Sequence, residues 1–204
     1  MTSHPTLFDA NTPFIICGID EVGRGPLAGP VMAAAVILPE KLPSFFEHVT
    51  DSKKLTMAKR EALFQPIMDH CQVGLGEASV EEIDTLNILQ ATMLAMTRAY
   101  QALPVKPHKA MIDGNRAPNG IDCLTETVIG GDALVPAIGA ASIIAKVTRD
   151  RLMKRLCEEF PGYNWSSNAG YGTKCHQKGL AELGPTIHHR RSFAPIKKLL
   201  EIAA

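Results

Sequence analysis

A chain of 204 residues, 46% hydrophobic and 21% charged, has the size and composition of one globular domain with at most a small appendage. No apolar run approaches the ~20 residues of a membrane span, and the opening MTSHPTLFDANTP lacks the basic end and apolar stretch of a secretory signal. The formal net charge of +0 hides an asymmetry: residues 141–200 hold 11 lysines and arginines against 4 acids, whereas residues 1–140 hold 10 against 16. An acidic body with a basic C-terminal third suits a carboxylate metal centre beside a phosphate-binding surface, although solvated helix charge alone produces the same split.

Residues 1–13 read as a loosely held tail. Residues 14–19 and 31–38 are short apolar runs with Val and Ile, the pattern of buried strands. The linker between them permits an antiparallel pair with a functional loop at its tip. The first run ends in two adjacent carboxylates, Asp20 and Glu21, followed by Gly23-Arg24-Gly25. Ionised carboxylates beside a dry core lose hydration energy, so a cation is expected between them. Thr56 is placed to cap a helix through Leu63 that Pro66 kinks or ends, and residues 71–78 suit a third strand. Ser79 and Glu82 have capping-box spacing, and Leu86, Leu89, Met93, Met96 and Tyr100 step along one helical face. Residues 109–112 form a strand ending in Asp113-Gly114, and residues 121–129 another, ending in Gly130-Gly131-Asp132. Pro136 opens a long helix over 137–160, apolar nearly all round in its first half. Strands first, then strands alternating with helices, predict a mixed α/β sheet.

Three predicted strands thus end in acids. If their ends are neighbours, Asp20, Glu21, Asp113 and Asp132 converge and repel one another unless cations neutralise them. All-oxygen ligands select hard ions, Mg²⁺ or Mn²⁺, and such clusters hold two ions ~3.5–4 Å apart for phosphodiester hydrolysis. Each motif also has a plain structural use. Asp before or after Gly is a common turn residue, and glycines flanking Arg24 supply positive φ in a strand connection. Asp51-Ser52-Lys53-Lys54 reads equally as a phosphate contact and as a capped helix start. Ser142 and Lys146 lie one turn apart on the apolar helix, where the lysine needs an acceptor; a carboxylate of the cluster is one possibility. Tyr171, between glycines, is suited to stacking on a sugar or base. His188-His189-Arg190-Arg191-Ser192-Phe193 is either a phosphate patch or a basic helix end packed on the sheet. The five cysteines are scattered, with no C-x-x-C pair, which fits a reducing cytoplasm rather than a zinc site or a disulfide framework.

Taken together, the blocks GIDEVGRGPLAGPV (18–31), DSKKL (51–55), EIDTLNILQATMLAM (82–96), IDGN (112–115), GGD (130–132), AASIIAKVTRD (140–150), GYGT (170–173) and HHRRSF (188–193) resemble the bacterial ribonuclease HII family (type 2 ribonuclease H), in order, over residues 14–198. The resemblance implies a ribonuclease H-like mixed sheet flanked by helices over residues 14–161, with a C-terminal helical, substrate-binding extension over 162–204. It implies a metal-dependent endonuclease that cuts the RNA strand of RNA–DNA hybrids and cuts 5′ of single ribonucleotides in duplex DNA. Asp20, Glu21, Asp113 and Asp132 would then be the metal-binding carboxylates. Gly23, Arg24 and Gly25 would recognise the ribonucleotide, and Tyr171 would sense the RNA-to-DNA junction. Ser52, Lys53, Lys54, Ser142, Lys146 and Arg190 would be further substrate contacts, and the protein would act as a cytoplasmic monomer. One motif departs from the family pattern: the usual Lys-Gly-Asp-Ser reads Gly130-Gly131-Asp132-Ala133, which lacks a lysine and a hydroxyl but no ligand. The rival readings are another nuclease of the same plan, which would cut all-DNA duplexes, and a non-catalytic nucleic-acid-binding module, in which Asp20→Asn would change nothing.

Overall fold

The computed structural model describes residues 13–203, so all of the expected tail but Pro13 lies outside the described residues. In chain order, β1 (Ile16–Val22) and β2 (Val31–Ile37) are followed by α1 (Met57–His70), β3 (Gln72–Ala78), α2 (Val80–Leu86) and α3 (Ile88–Gln101). Then come β4 (Lys109–Asp113), β5 (Leu124–Val128), α4 (Gly131–Leu134), α5 (Pro136–Glu159), α6 (Trp165–Asn168), α7 (Lys174–Leu183) and α8 (Ala194–Ala203). The sheet order is β3-β2-β1-β4-β5; β1 runs antiparallel to β2 and parallel to β4, and β5 continues the parallel half. Among the described residues no helix is long and apolar enough to cross a membrane.

Side chains of β1 and β2 alternate between two cores, as the two-residue period of a strand requires. Ile19, Ala33 and Ala35 face α3, whereas Ala34 and Val36 face α1 and α5. Small residues let the layers close. A Cβ on Gly18 would lie 2.2 Å from the Ala137 carbonyl carbon, so the start of α5 rests directly on β1. On the other face, Gly74 and Gly76 of β3 admit α3 so closely that a Cβ would meet the carbonyl oxygens of Ala99 and Ala95 at 2.1 and 2.2 Å.

That packing revises the expected helix face. The buried stripe of α3 is Ala91, Thr92, Ala95, Met96, Ala99 and Tyr100: Met96 and Tyr100 lie inward as expected, while the close approach of Gly74 and Gly76 leaves room only for alanines at 95 and 99. The capping box of Ser79 and Glu82 forms, and Arg98 doubly binds the Glu82 carboxylate at 2.7 and 2.8 Å. The helix breaks at Asn87, whose φ of 72° ends α2 while its side chain caps α3, and Leu86 and Leu89 turn away from the core. Helix α1 continues through Pro66 to His70, since Leu63, Phe64 and Ile67 bury one face and hold it on the sheet. A third core, built from Leu27, Ala28, Met153, Leu156, Tyr163, Trp165, Leu180 and Ile196, ties the C-terminal helices to the β1–β2 loop.

Candidate active site

Because β1 and β4 are parallel neighbours, their C-terminal ends lie side by side. Asp20 falls on the α5 face, in line with Gly18, and the next residue, Glu21, falls on the α3 face. Asp113 closes β4 and accepts the Gly131 N–H at 2.8 Å, which docks the start of α4 on this edge. Ligand oxygens of Asp20, Glu21 and Asp113 lie within 4.8 Å of one another. Glu21 and Asp113 open into a cleft of about 330 Å³ that Arg24, Leu89, Met93 and Arg116 also line.

The electrostatics of this trio are unbalanced. Burial, then the charge of Glu21, pushes the Asp20 carboxyl from 3.8 up to about 8, although Ser142 and the Glu21 N–H (2.7 Å) donate to it. Burial also raises Glu21, and Arg24 at 3.3 Å partly offsets that. Oxygen-only donors, crowded and lacking sufficient cationic partners, fit a hard divalent ion and no soft one.

Asp132 stands apart from the trio. It lies in the first turn of α4 rather than at a strand end, and it faces Lys53 at 3.5 Å. Burial raises its carboxyl, the charges of Asp51 and Asp113 add to the rise, and Lys53 opposes it. The expectation that four strand-end acids would converge therefore holds for three of them.

The remaining predicted residues separate into two groups. Ser52, in a 3-10 turn over Ser52–Lys54, is buried, and its hydroxyl is hydrogen-bonded to that of Ser142 at 2.8 Å, so this turn is docked beside Asp20. Burial opposes the charge on the exposed Lys53 ammonium, but Asp132, Asp20 and Asp51 raise it on balance. Lys54 is exposed on the same turn. Tyr171 is half exposed, and its ring edge would lie 3.3 Å from a Cβ on Gly25, so it stands over the Gly-Arg-Gly loop. Two residues are not where the sequence suggested. Lys146 pairs with Asp150 on its own helix and not with the acid cluster. Arg190 is fully buried, and its guanidinium donates to the carbonyls of Gly23, Arg24 and Gly29. A side chain so enclosed cannot reach a phosphate, and of the expected basic patch only Arg191 is an exposed arginine.

Sequence reasoning passed over Arg149. It is buried and donates to the carbonyls of Pro30, Ala28 and Ala169 at 2.8–3.0 Å. Its signal is the helical step Ile138, Ser142, Ala145, Arg149, which puts it on the buried face of α5. His176 was also missed, and His189, read as part of a phosphate patch or a basic helix end, instead meets it from a separate segment; no spacing announces the pair.

A mixed sheet with a carboxylate cluster at the ends of adjacent parallel strands, flanked by helices, defines a ribonuclease H-like nuclease. A family model described as Ribonuclease HII matches residues 17–196. A relative of that name from Parvibaculum lavamentivorans is 56% identical over 186 residues, covering 91% of this chain and 68% of its own length. Another, from Paramagnetospirillum magneticum, is 55% identical over 188 residues, covering 91% of this chain and 93% of its own. The ribonuclease H2 structure from Pyrococcus horikoshii aligns with a TM-score of 0.77 at 27% identity, over 92% of this chain and 98% of that one. The chain belongs to the ribonuclease HII family and is a ribonuclease H endonuclease.

Proposed function

We propose that this protein hydrolyses the RNA strand of RNA–DNA hybrids and cuts 5′ of single ribonucleotides embedded in duplex DNA. The products carry 3′-hydroxyl and 5′-phosphate ends, and the role is ribonucleotide excision and primer removal in the cytoplasm, by a monomer. The observation that carries the reading is the juxtaposition of three crowded carboxylates with a Gly-Arg-Gly turn that an exposed tyrosine overhangs.

Asp20, Glu21 and Asp113, with Asp132 as the outer fourth, hold the divalent ions, Mg²⁺ or Mn²⁺. When bound, two such ions supply an activated water and charge stabilisation at the leaving oxygen. Ser142 and the Glu21 N–H would fix the orientation of the Asp20 carboxylate as a ligand. The backbone of Gly23, Arg24 and Gly25 meets the ribose 2′-hydroxyl, the group that distinguishes RNA from DNA. Tyr171 stacks on the sugar of the following deoxynucleotide. Ser52, Lys53 and Lys54 take a phosphate near the scissile bond, and residues 162–204 serve as the substrate-binding extension. Lys53 and Asp132 form an ion pair that substrate phosphate would compete for. Lys146 remains a contact for the DNA backbone at the rim, shared with Asp150.

The test is a DNA duplex carrying one ribonucleotide, incubated with Mg²⁺, with Mn²⁺ and with EDTA. Cleavage 5′ of the ribonucleotide with either metal and none with EDTA is expected. Cleavage of an all-DNA duplex at a comparable rate would sink the ribonucleotide reading, and unimpaired cutting by Asp20→Asn would sink the metal assignment.

A further inference from the structure

The two loops assigned to ribonucleotide reading are fastened together from beneath by buried groups outside the acid cluster. Arg190 donates to the carbonyls of Gly23, Arg24 and Gly29. Arg149 donates to those of Ala28 and Pro30 and, across the gap, to Ala169 beside the Tyr171 turn. Both are 0–1% exposed, and among the described residues neither has a carboxylate within ion-pair distance. Two guanidiniums buried this close to each other are costly, so their use as hydrogen-bond forks on one loop needs a reason. Gly23 is moulded to this arrangement: its φ is +91°, and a Cβ there would strike Arg149 Nε at 2.2 Å.

The Tyr171 side of the gap is held by a second device whose proton positions follow from the donors around it. The Thr186 N–H donates to His189 Nδ1 at 2.9 Å, so the neutral His189 ring carries its proton on Nε2. That nitrogen faces His176 Nε2 at 3.0 Å, and the Trp165 indole N–H also donates to His176 Nε2, at 3.1 Å. His176 Nε2 is therefore an acceptor, and its proton sits on Nδ1, which donates to the Tyr171 carbonyl at 2.9 Å. The chain runs one way, from Thr186 through two buried histidines to the backbone of Tyr171.

We propose that Arg190, Arg149 and His176 are positioning residues that hold the Gly-Arg-Gly backbone at one fixed spacing from Tyr171, and that this spacing sets the preference for a lone ribonucleotide over continuous RNA. The proposal rests on the reading that these two loops contact the 2′-hydroxyl and the next sugar. A lone ribonucleotide offers one 2′-hydroxyl followed by deoxyribose, so both loops must match a single step. A continuous hybrid offers a 2′-hydroxyl at every position and tolerates a displaced loop. A displacement of about 1 Å is enough to cost on the order of 100-fold in rate.

Arg190→Lys keeps the charge and loses the planar fork. Its kcat/KM on the single-ribonucleotide duplex should fall about 10–100-fold, and on a uniform RNA–DNA hybrid less than about 3-fold. Equal losses on both substrates, or no loss, would overturn the proposal. If that variant does not fold, His176 decides. His176→Ala and His176→Asn both remove the acceptor for Trp165 and His189, but Asn keeps a donor where Nδ1 stood. His176→Asn should recover most of the single-ribonucleotide preference that His176→Ala loses, and indistinguishable variants would overturn the proposal. A wild-type protein inert on the single-ribonucleotide duplex would instead overturn the underlying reading.

Discussion

The carboxylate cluster, half-buried at the mouth of a cleft, and the arginines buried under the loop beside it are both assemblies of like charge, yet they are completed differently. Asp20, Glu21 and Asp113 share too few donors, and Asp20 is left with its carboxyl raised to about 8. Among the described residues Arg149 and Arg190 have no acid within ion-pair distance, and burial, with repulsion from Arg149 at Arg190, lowers them to about 10 and about 9, but six carbonyls satisfy their forks. The acids are complete only when a ligand brings positive charge, whereas the arginines are complete within the fold. The contrast separates the proposed chemical site from the frame proposed to aim it.

Asp20→Asn should break the acid side most severely. Cleavage is expected to fall about a thousandfold or more, equivalent to roughly 4 kcal/mol of transition-state stabilisation, with duplex binding largely retained in a filter or anisotropy assay. On the frame side, Gly23→Ala forces a side chain at φ +91° against Arg149. A stability loss of about 1–3 kcal/mol in urea unfolding is expected, together with reduced cleavage. Unaltered unfolding would show that the loop is not held as tightly as its contacts imply.

Metal-free protein sharpens the contrast through pH. Folded Asp20 keeps its proton up to about pH 8, while the unfolded chain releases it near 3.8. The folded state thus binds more protons across that window, and stability falls as pH rises through it. His189 works in the opposite sense at the lower end: burial, then the nearby His176 and His188, lowers it from 6.5 to about 4, so its contribution to stability is lost as pH falls through that range. Between about pH 6.5 and 8, the melting temperature of EDTA-treated protein should fall with pH, and Asp20→Asn should flatten the slope and melt higher at pH 8. Tyr171→Ala is the mildest change. Stacking of this kind is worth about 1–3 kcal/mol, so single-ribonucleotide cleavage should drop on the order of 10-fold, with stability within about 0.5 kcal/mol because the ring is half exposed.

Much of this was legible in the chain itself. Short apolar runs bounded by turn residues located the five strands of the described sheet, Pro136 with the apolar run after it located the long helix, and Ser79 with Glu82 announced a cap that forms. Asp20, Glu21 and Asp113 stood out because carboxylates at the ends of apolar runs are anomalous on chemical grounds, before any partner is known. The elements, and the meeting of those three acids, were legible because backbone preference and the cost of a charge beside apolar residues are local properties.

What the sequence could not decide is which side chains meet across long separations. Arg190 and the Lys-rich segments look alike as letters, but 167 residues separate Arg190 from the Gly23 carbonyl that helps to bury it. Leu86 and Leu89 match a helical face, but the break at Asn87 turns them away from the core, and the contact with β3 goes to Ala95 and Ala99. Asp132 follows a strand as Asp113 does, yet it sits in the first turn of α4 and pairs with Lys53 instead of joining the other three acids. In each case hydrophobicity and charge were known beforehand. Burial was not, because burial is set by whatever distant segment arrives to exclude the water, and only the assembled tertiary structure determines that.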